Sequence, residues 1–250
     1  MIRTFGLIGF PLAHSFSKKF FTDKFDKGGN IDCTYELFPM ENVASLVSLV
    51  ADQEDLEGLN VTIPHKVTVL PFLNELDDAA RQIGAVNCIA IRKNGNERRL
   101  TGYNTDAFGF EESLKPFLKE HHTGALILGD GGAAKAVKYV LSKLNIPYLT
   151  VVRTAVPGAI VYGELNEEIL GRHQVIINTT PLGTYPNVEN APDIPYHLLT
   201  NQHLAYDLVY NPEITEFLSR ANARGAAIKN GLEMLHLQAE RSWMIWNGLV

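Results

Sequence analysis

A glycine-rich loop is the clearest chemical signal in this 250-residue sequence. The loop reads Gly129-Asp130-Gly131-Gly132-Ala133-Ala134, and it follows an apolar run that is typical of a buried strand. Glycines there let the backbone approach a pyrophosphate, and the free N–H groups that open the next helix stabilise its negative charge. A plain tight turn would also use glycines, but a strand before the loop and a helix after it favour a dinucleotide.

The end of the next predicted strand, at residues 148–152, bears on which dinucleotide is bound. An NAD site usually has a carboxylate at this point for the ribose hydroxyls, whereas this strand is followed by Arg153 and Thr154. A guanidinium can pair with a 2′-phosphate and stack on adenine, which favours NADP. The alternative is a solvated surface arginine, and the position together with the residue type favours the phosphate role.

A second group of polar residues lies at the ends of predicted strands or just after them in the first half of the chain, where open α/β sheets bind ligands. Taken singly, each member has a structural explanation, such as capping a helix or favouring a strand. A lysine beside a carboxylate can also move a proton when an alcohol is oxidised or a carbonyl is reduced. The group consists of Ser15, Ser17, Asn60, Thr62, Lys66, Asn87, Asn104, Thr105 and Asp106.

Alternating strands and helices must position these residues. Apolar periodicity predicts strands at 4–10, 33–38 and 56–63, helices at 15–25, 43–50 and 67–76, and a hairpin of strands 85–91 and 100–103 around Asn94-Gly95. A second alternation predicts strands at 125–129, 148–152, 174–178, 204–209 and 226–228, with helices at 133–144 and 232–246. This order predicts an α/β fold with a mostly parallel sheet covered on both faces.

Composition and charge exclude several classes of protein. The net charge of −6, without a basic cluster, argues against nucleic acid or an anionic membrane as a partner. No apolar run approaches the ~20 residues of a transmembrane helix, and the N-terminal segment lacks the cleavage site of a signal peptide. Cys33 and Cys88 suit reduced thiols in the cytoplasm. No histidine spacing suggests a metal site.

Five segments, in order along nearly the whole chain, resemble the shikimate dehydrogenase family. They are Gly6-Leu7-Ile8-Gly9 with Pro11, His14, Ser15 and Ser17; Asn60 to Lys66; Gly84 to Asn87; Gly102 to Asp106; and Tyr206 to Pro212. The resemblance implies two domains. Residues 1–106 with 233–250 would form an α/β substrate-binding catalytic domain, and residues 107–232 would form a Rossmann-like domain that binds NADP.

The resemblance also implies a role for each site residue. Ser15 and Ser17 would bind the substrate carboxylate, with His14 in a supporting or packing role. Thr62, Asn87 and Gln238 would bond ring hydroxyls, and Asn60 and Tyr210 would shape the pocket. Lys66 would be the proton shuttle with Asp106 as its partner. The implied cofactor residues are Gly129, Asp130, Gly131, Gly132, Ala133, Arg153, Thr154, Thr180, Leu208 and Gly231. A backbone carbonyl or a water could instead satisfy Gln238.

The resulting expectation is the reversible NADP-dependent reduction of 3-dehydroshikimate to shikimate, a step toward chorismate and the aromatic amino acids. Two departures from the family pattern, Val152 in place of the usual Asn and Thr184 in place of a frequent Met, bear on cofactor selectivity. One alternative is a broader quinate/shikimate dehydrogenase that uses NAD or NADP. Another is a non-catalytic module that senses shikimate or a nucleotide, against which Lys66 and Asp106 argue. Both a monomer and a homodimer fit the sequence.

Overall fold

The chain folds into two compact α/β units, which confirms the predicted fold class. The computed structural model describes residues 2–12, 16–95 and 97–250. The first unit comprises residues 1–105 with 239–250, and the second comprises residues 106–238. The divisions therefore fall after residues 105 and 238, where the sequence predicts them after 106 and 232, and each lies inside a helix.

The first unit is built on a mixed six-stranded sheet in the order β2-β1-β3-β5-β6-β4. Strands β1, β2 and β3 pair in parallel, whereas β5 is antiparallel to both β3 and β6. The elements are β1 (Arg3–Gly9), α1 (Phe16–Gly28), β2 (Cys33–Pro39), α2 (Leu46–Asp52), β3 (Leu56–Val61), α3 (His65–Thr68), β4 (Glu75–Leu76), α4 (Asp78–Ile83), β5 (Cys88–Asn94) and β6 (Glu97–Tyr103).

The second unit is built on a fully parallel sheet in the order β12-β11-β10-β7-β8-β9. Its elements are α5 (Thr105–Leu114), β7 (Ala125–Leu128), α6 (Gly132–Lys143), β8 (Tyr148–Val152), β9 (Ala159–Val161), α7 (Glu167–Arg172), β10 (Val175–Asn178), β11 (Leu204–Asp207), α8 (Glu216–Asn222), β12 (Ala227–Lys229) and the N-terminal half of α9 (Leu232–Trp246). The first residue of α5 and the residues of α9 from 239 onward belong to the first unit. Every residue of β7, β10 and β11 is buried, as expected of a parallel sheet covered on both faces. No helix of the described ranges has the length and apolarity to cross a bilayer.

The helix predicted over residues 67–76 is wrong. Helix α3 ends at Thr68, and a 3₁₀ turn at Leu70–Phe72 follows it. Pro71 lacks the N–H that a continuing helix would need. Asn74 then pairs with Leu100 through both its backbone and its side chain, which brings β4 into the sheet beside β6. Pairing with β6, which is distant in sequence, therefore makes the end of this segment a strand despite its helical periodicity.

An aromatic cluster fixes the C-terminal half of α9 to the first unit. Trp246 is fully buried, stacks on Phe5 with ring centroids 4.8 Å apart, and donates its indole N–H to the Ile89 carbonyl at 3.0 Å. Its ring also lies over Gly58 of β3, where a Cβ atom would come within 2.3 Å of the indole. Glycine at position 58 therefore makes room for the tryptophan that anchors the last helix.

Gly58→Ala is expected to destabilise the first unit by about 1–3 kcal/mol, because the new methyl group must displace the Trp246 ring from a packed core. Urea unfolding followed by tryptophan fluorescence checks this, since Trp243 and Trp246 are the two tryptophans of the chain and both belong to the first unit. The matched control is Gly28→Ala at the end of α1, where the methyl meets only the flexible side chain of Asn30. Equal midpoints for the two variants would contradict the packing argument.

Candidate active site

A continuous hydrogen-bond network joins several predicted substrate residues in the first unit. Asn60 is buried in β3; its Oδ1 accepts a bond from Tyr35 Oη at 2.8 Å, and its Nδ2 donates to Ser242 Oγ at 3.0 Å. Burial raises the pKa of Tyr35 well above its usual range, and a hydrogen bond with the Ser17 side chain opposes that rise. Asn60 is thus held by protein groups, an arrangement consistent with shaping a pocket.

Asn87 extends this network to the start of α5. Its Oδ1 accepts from the Thr105 backbone N–H at 2.6 Å, and its Nδ2 donates to Thr105 Oγ1 at 2.9 Å. Thr105 Oγ1 in turn lies 3.3 Å from Ser242 Oγ. Asn87 therefore fixes the helix end whose next residue is Asp106. Sequence reasoning missed Tyr35 and Ser242, although Tyr35 occupies an inward position of the alternating strand β2.

The backbone fixes the segment from Thr62 to Lys66. The Thr62 N–H donates to Ile8 O at 2.9 Å, and the Lys66 carbonyl accepts from Val86 N at 2.8 Å, next to Asn87. His65 is buried between them, with its Nε2 2.5 Å from the Met40 carbonyl oxygen. Thr62 and Lys66 are themselves half-buried. The structure therefore brings the Lys66 and Asn87 segments together.

The remaining predicted substrate residues lie elsewhere. Ser15 and His14 fall outside the described residues, while Asp106, Tyr210 and Gln238 belong to the second unit. Asp106 is in the first turn of α5. Gln238 is buried on α9 and donates from Nε2 to the Leu235 carbonyl at 3.0 Å. A backbone carbonyl is one of the partners that the sequence left open for Gln238 in place of the substrate.

Helices α5 and α9 approach closely within the second unit. A Cβ atom on Gly109 would lie 2.5 Å from the Met234 carbonyl and 3.2 Å from Gln238 Cβ. Only a glycine lets the two backbones come so near. Helix α5, whose first turn contains Asp106, therefore packs against the turn of α9 that carries Gln238.

The glycine loop has the geometry of an anion site. Gly129 adopts a positive φ of 100°, donates to Val151 O at 2.8 Å, and leaves no room for a Cβ, which would lie 2.8 Å from Thr180 Cγ2. Gly131 is the N-cap of α6, so no capping side chain covers the N–H groups of the first turn. The space beside the Cα atoms of Gly131 and Gly132 is open. These features fit the pyrophosphate of a dinucleotide.

The other members of the loop have distinct environments. Ala134 is fully buried where α6 packs on the sheet, which explains why a small residue stands at the third glycine position. Asp130 pairs with Lys138 at 2.6 Å. Ala133 lies in the first turn of α6, and its backbone N–H belongs to the helix terminus that would face the phosphates.

Arg153 and Thr154 are exposed at the carboxyl end of β8, on one side of the glycine loop. Burial raises the pKa of Tyr162, and the Arg153 guanidinium opposes that rise, so the two side chains are neighbours. Strand β8 pairs with β7, which carries the loop. The guanidinium is thus placed where the adenosine end of a dinucleotide would lie.

Three predicted cofactor residues lie on the other side of the glycine loop. Thr180 follows β10, Leu208 follows β11, and Gly231 precedes α9. The Thr180 N–H and hydroxyl both donate to Asn178 Oδ1, at 3.0 and 2.6 Å. A Cβ atom on Gly231 would lie 2.1 Å from the Leu208 carbonyl oxygen, so these two backbones touch. The structure therefore brings Leu208 and Gly231 together.

Asn178 and Asp207 are two polar residues of this region that sequence reasoning missed. Each ends a strand that is otherwise apolar or aromatic, and that contrast is a usable signal. In the part of the chain that the structure describes, no group of three or more His, Cys, Asp or Glu side chains is arranged to hold a metal.

The sequence is similar to those of known proteins. Residues 7–89 match the family model of the shikimate dehydrogenase substrate binding domain. The shikimate dehydrogenase (NADP(+)) of Desulforamulus reducens is 38% identical, covering 97% of this chain and 89% of the relative. That of Methanococcus aeolicus is 34% identical, covering 99% and 92%.

A solved structure agrees in fold over the whole chain. The shikimate 5-dehydrogenase of Thermus thermophilus, crystallised in complex with NADP(H) and shikimate, superimposes with a TM-score of 0.85 at 30% identity. The alignment covers 100% of this chain and 95% of that one. The protein described here therefore belongs to the shikimate dehydrogenase family.

Proposed function

We propose that this protein catalyses the reversible NADP-dependent reduction of 3-dehydroshikimate to shikimate, a step toward chorismate and the aromatic amino acids. The observation that carries the proposal is a glycine loop at the switch point of a parallel sheet, in a chain that also holds the buried network around Asn87. Relatives that match 97% and 99% of the chain have the name shikimate dehydrogenase (NADP(+)), which supports the same reaction.

The substrate residues would act through hydrogen bonds. Ser15 and Ser17 would donate hydroxyl groups to the carboxylate, while Thr62, Asn87 and Gln238 would bond the ring hydroxyls. Asn60 and Tyr210 would shape the pocket. The network that fixes Asn60 and Asn87 supports these roles, because a side chain held by protein groups loses little entropy when it binds a ligand.

Three groups of residues would each bind a different part of the dinucleotide. Gly129 would let the backbone turn toward the pyrophosphate, which the backbone N–H groups from Asp130 to Ala133 would bind. Arg153 with Thr154 would bind the 2′-phosphate. Thr180, Leu208 and Gly231 would border the nicotinamide half. When bound, NADP+ supplies the acceptor for the hydride that leaves the alcohol carbon.

Lys66 would move the proton that accompanies this hydride. In the oxidation of shikimate, the neutral amine of Lys66 accepts the proton of the reacting hydroxyl as the carbon becomes a carbonyl. In the reduction, its ammonium group donates that proton to the carbonyl oxygen. The carboxylate of Asp106 would orient the lysine and the hydroxyl. The alcohol thus loses one hydride and one proton, which is its two-electron oxidation to the ketone.

A broader quinate/shikimate dehydrogenase that also uses NAD is the second candidate function. Strand β8 ends in Val152, which offers no polar contact to a 2′-phosphate, so a preference for NADP rests more heavily on the exposed Arg153. This observation concerns the cofactor and leaves the reaction type unchanged.

The cellular setting is proposed as well. The protein would act in the cytoplasm as a monomer or homodimer, without a nucleic acid or membrane partner. Cys33 and Cys88 are both free and buried, as expected of thiols in a reducing compartment. The net charge of −6 is unfavourable for polyanionic partners.

Initial rates with shikimate and quinate, each with NADP and NAD, test the proposed reaction directly. NADPH should accumulate with shikimate, with kcat/KM for shikimate at least about tenfold above that for quinate, since a site that bonds each hydroxyl rejects a misfit. Comparable turnover of quinate, or of NAD, would favour the broader enzyme. Ligand binding without any turnover would favour a sensing module.

Lys66→Ala is expected to lower kcat about 100-fold or more and to leave the KM for shikimate within about threefold, since it removes the proton shuttle and spares the binding hydroxyls. Steady-state kinetics in both directions measure this. Lys93→Ala, at an exposed position on β5, is the matched control and should retain wild-type rates. A kcat near the wild-type value in Lys66→Ala would remove Lys66 from catalysis.

Arg153→Ala should raise the KM for NADP about tenfold or more and leave the KM for NAD nearly unchanged, because only NADP carries the phosphate that the guanidinium would bind. Arg172→Ala removes an arginine that is equally exposed and pairs with Glu168, and it serves as the control. If Arg153→Ala weakens both cofactors equally, the arginine does not discriminate between them.

A further inference from the structure

Asp207 is a buried carboxylate to which the proposed mechanism gives no role. It ends β11 with no exposed surface, and both of its oxygens accept hydrogen bonds. Oδ1 accepts from Asn178 Nδ2 and from the Val209 backbone N–H, each at 3.0 Å. Oδ2 accepts from Thr215 Oγ1 at 2.6 Å. The carboxylate therefore joins three segments that are separate in sequence.

Two of these segments carry residues assigned to the cofactor. Asn178 uses its Oδ1 to hold the N–H and hydroxyl of Thr180, while its Nδ2 contacts the carboxylate. Val209 stands directly after Leu208, whose carbonyl touches Gly231. Asp207 thus fixes the loop after β10 relative to the loop after β11.

The sheet order places both loops at one end of the expected dinucleotide. The glycine loop follows β7, and Arg153 follows β8, which is the neighbour of β7 on one side. Strands β10 and β11 lie in sequence on the other side of β7. A dinucleotide with its pyrophosphate at the glycine loop and its 2′-phosphate at Arg153 must therefore extend its nicotinamide half over β10 and β11.

The ionised form of Asp207 is costly to the fold. Burial raises its pKa from 3.8 to about 6, against the opposing hydrogen bonds of Thr215, Val209 and Asn178. Stability from this group is present below pH 4 and is lost as the pH rises through 6, so the charge destabilises the fold at neutral pH. A buried charge retained at such a cost is characteristic of functional sites.

Among the described residues, no cationic side chain pairs with Asp207. The titratable side chain that faces it is Tyr196, a phenol whose own pKa is raised by burial. On the neighbouring elements, Arg220 of α8 pairs with Glu216, and Lys229 of β12 pairs with Glu233. Strand β10 carries no charged residue. In the part of the chain that the structure describes, the carboxylate is therefore held by neutral donors.

We propose that Asp207 is a positioning residue for the nicotinamide half of the dinucleotide, which it orders through Asn178 and Val209. This inference rests on the dinucleotide site of the proposed function. Removal of the carboxylate frees the two loops, whereas the glycine loop keeps the bond from the Gly129 N–H to the Val151 carbonyl, and Arg153 follows β8 on the opposite side of that loop.

The test compares NADP with adenosine 2′,5′-bisphosphate, which contains the adenosine half alone. Asp207→Ala should raise the Kd for NADP at least about tenfold and leave the Kd for the bisphosphate within about twofold, as measured by calorimetry. Asp207→Asn should recover most of the lost affinity, because its Oδ1 still accepts from Asn178 and Val209 while its amide donates to Thr215. The same selective loss is expected of Asn178→Ala, which keeps the inference testable if Asp207→Ala fails to fold.

Ser113→Ala is the matched control. It removes a buried 2.7 Å hydrogen bond to Tyr206, which lies beside Asp207 on β11, but it touches neither of the two loops. It should leave both dissociation constants unchanged. Equal loss of both ligands in Asp207→Ala and Asp207→Asn, or unchanged NADP affinity in Asp207→Ala, would overturn the inference. Because these are binding measurements, absence of shikimate turnover in the wild type would refute the proposed function and leave this result standing.

Discussion

Parallel strand pairing is the constraint on which the candidate site depends. Parallel strands need crossover connections, so their carboxyl ends open at one edge of the sheet. In the second unit this edge gathers Gly129 after β7, Asn178 at the end of β10 and Asp207 at the end of β11; Asn178 is in register with both Leu128 and Asp207. Residues far apart in sequence become neighbours through backbone geometry before any side chain contributes.

Burial of those strand ends creates a second requirement. A polar group without solvent must find a partner, and a partly satisfied network costs more than an apolar core. Each unit meets this with side chains that bridge loops: Asn87 holds the Thr105 N–H in the first, and Asp207 holds the Val209 N–H in the second. The hydrogen bonds that satisfy the buried groups therefore also order the loops that we propose bind the ligands.

The elements that depend on local apolar pattern could be predicted from the sequence. Strand β8 and helix α9 have the predicted bounds, because apolar periodicity over a long or strongly buried segment is decisive. The helix predicted at 67–76 is wrong because Asn74 pairs with a strand that lies beyond it in the chain. The contacts of Ser17 with Tyr35 and of Asn60 with Ser242 also join distant positions, so no local rule could have found them.

Anion binding by an acidic chain follows from the short range of the forces involved. Exposed charges farther apart than about 8–10 Å are largely screened at physiological salt, so a net charge of −6 has little influence at a given loop. Many of the acids are also paired, as Glu111 is with Lys115 and Lys143. At the glycine loop, helix N–H donors favour a phosphate at hydrogen-bonding distance, and the carboxylate of the loop, Asp130, is paired with Lys138. The net charge therefore argues against a polyanionic partner, because its many phosphates would contact a large part of the surface. It does not argue against a dinucleotide or a small carboxylic acid, which contacts only a few local groups.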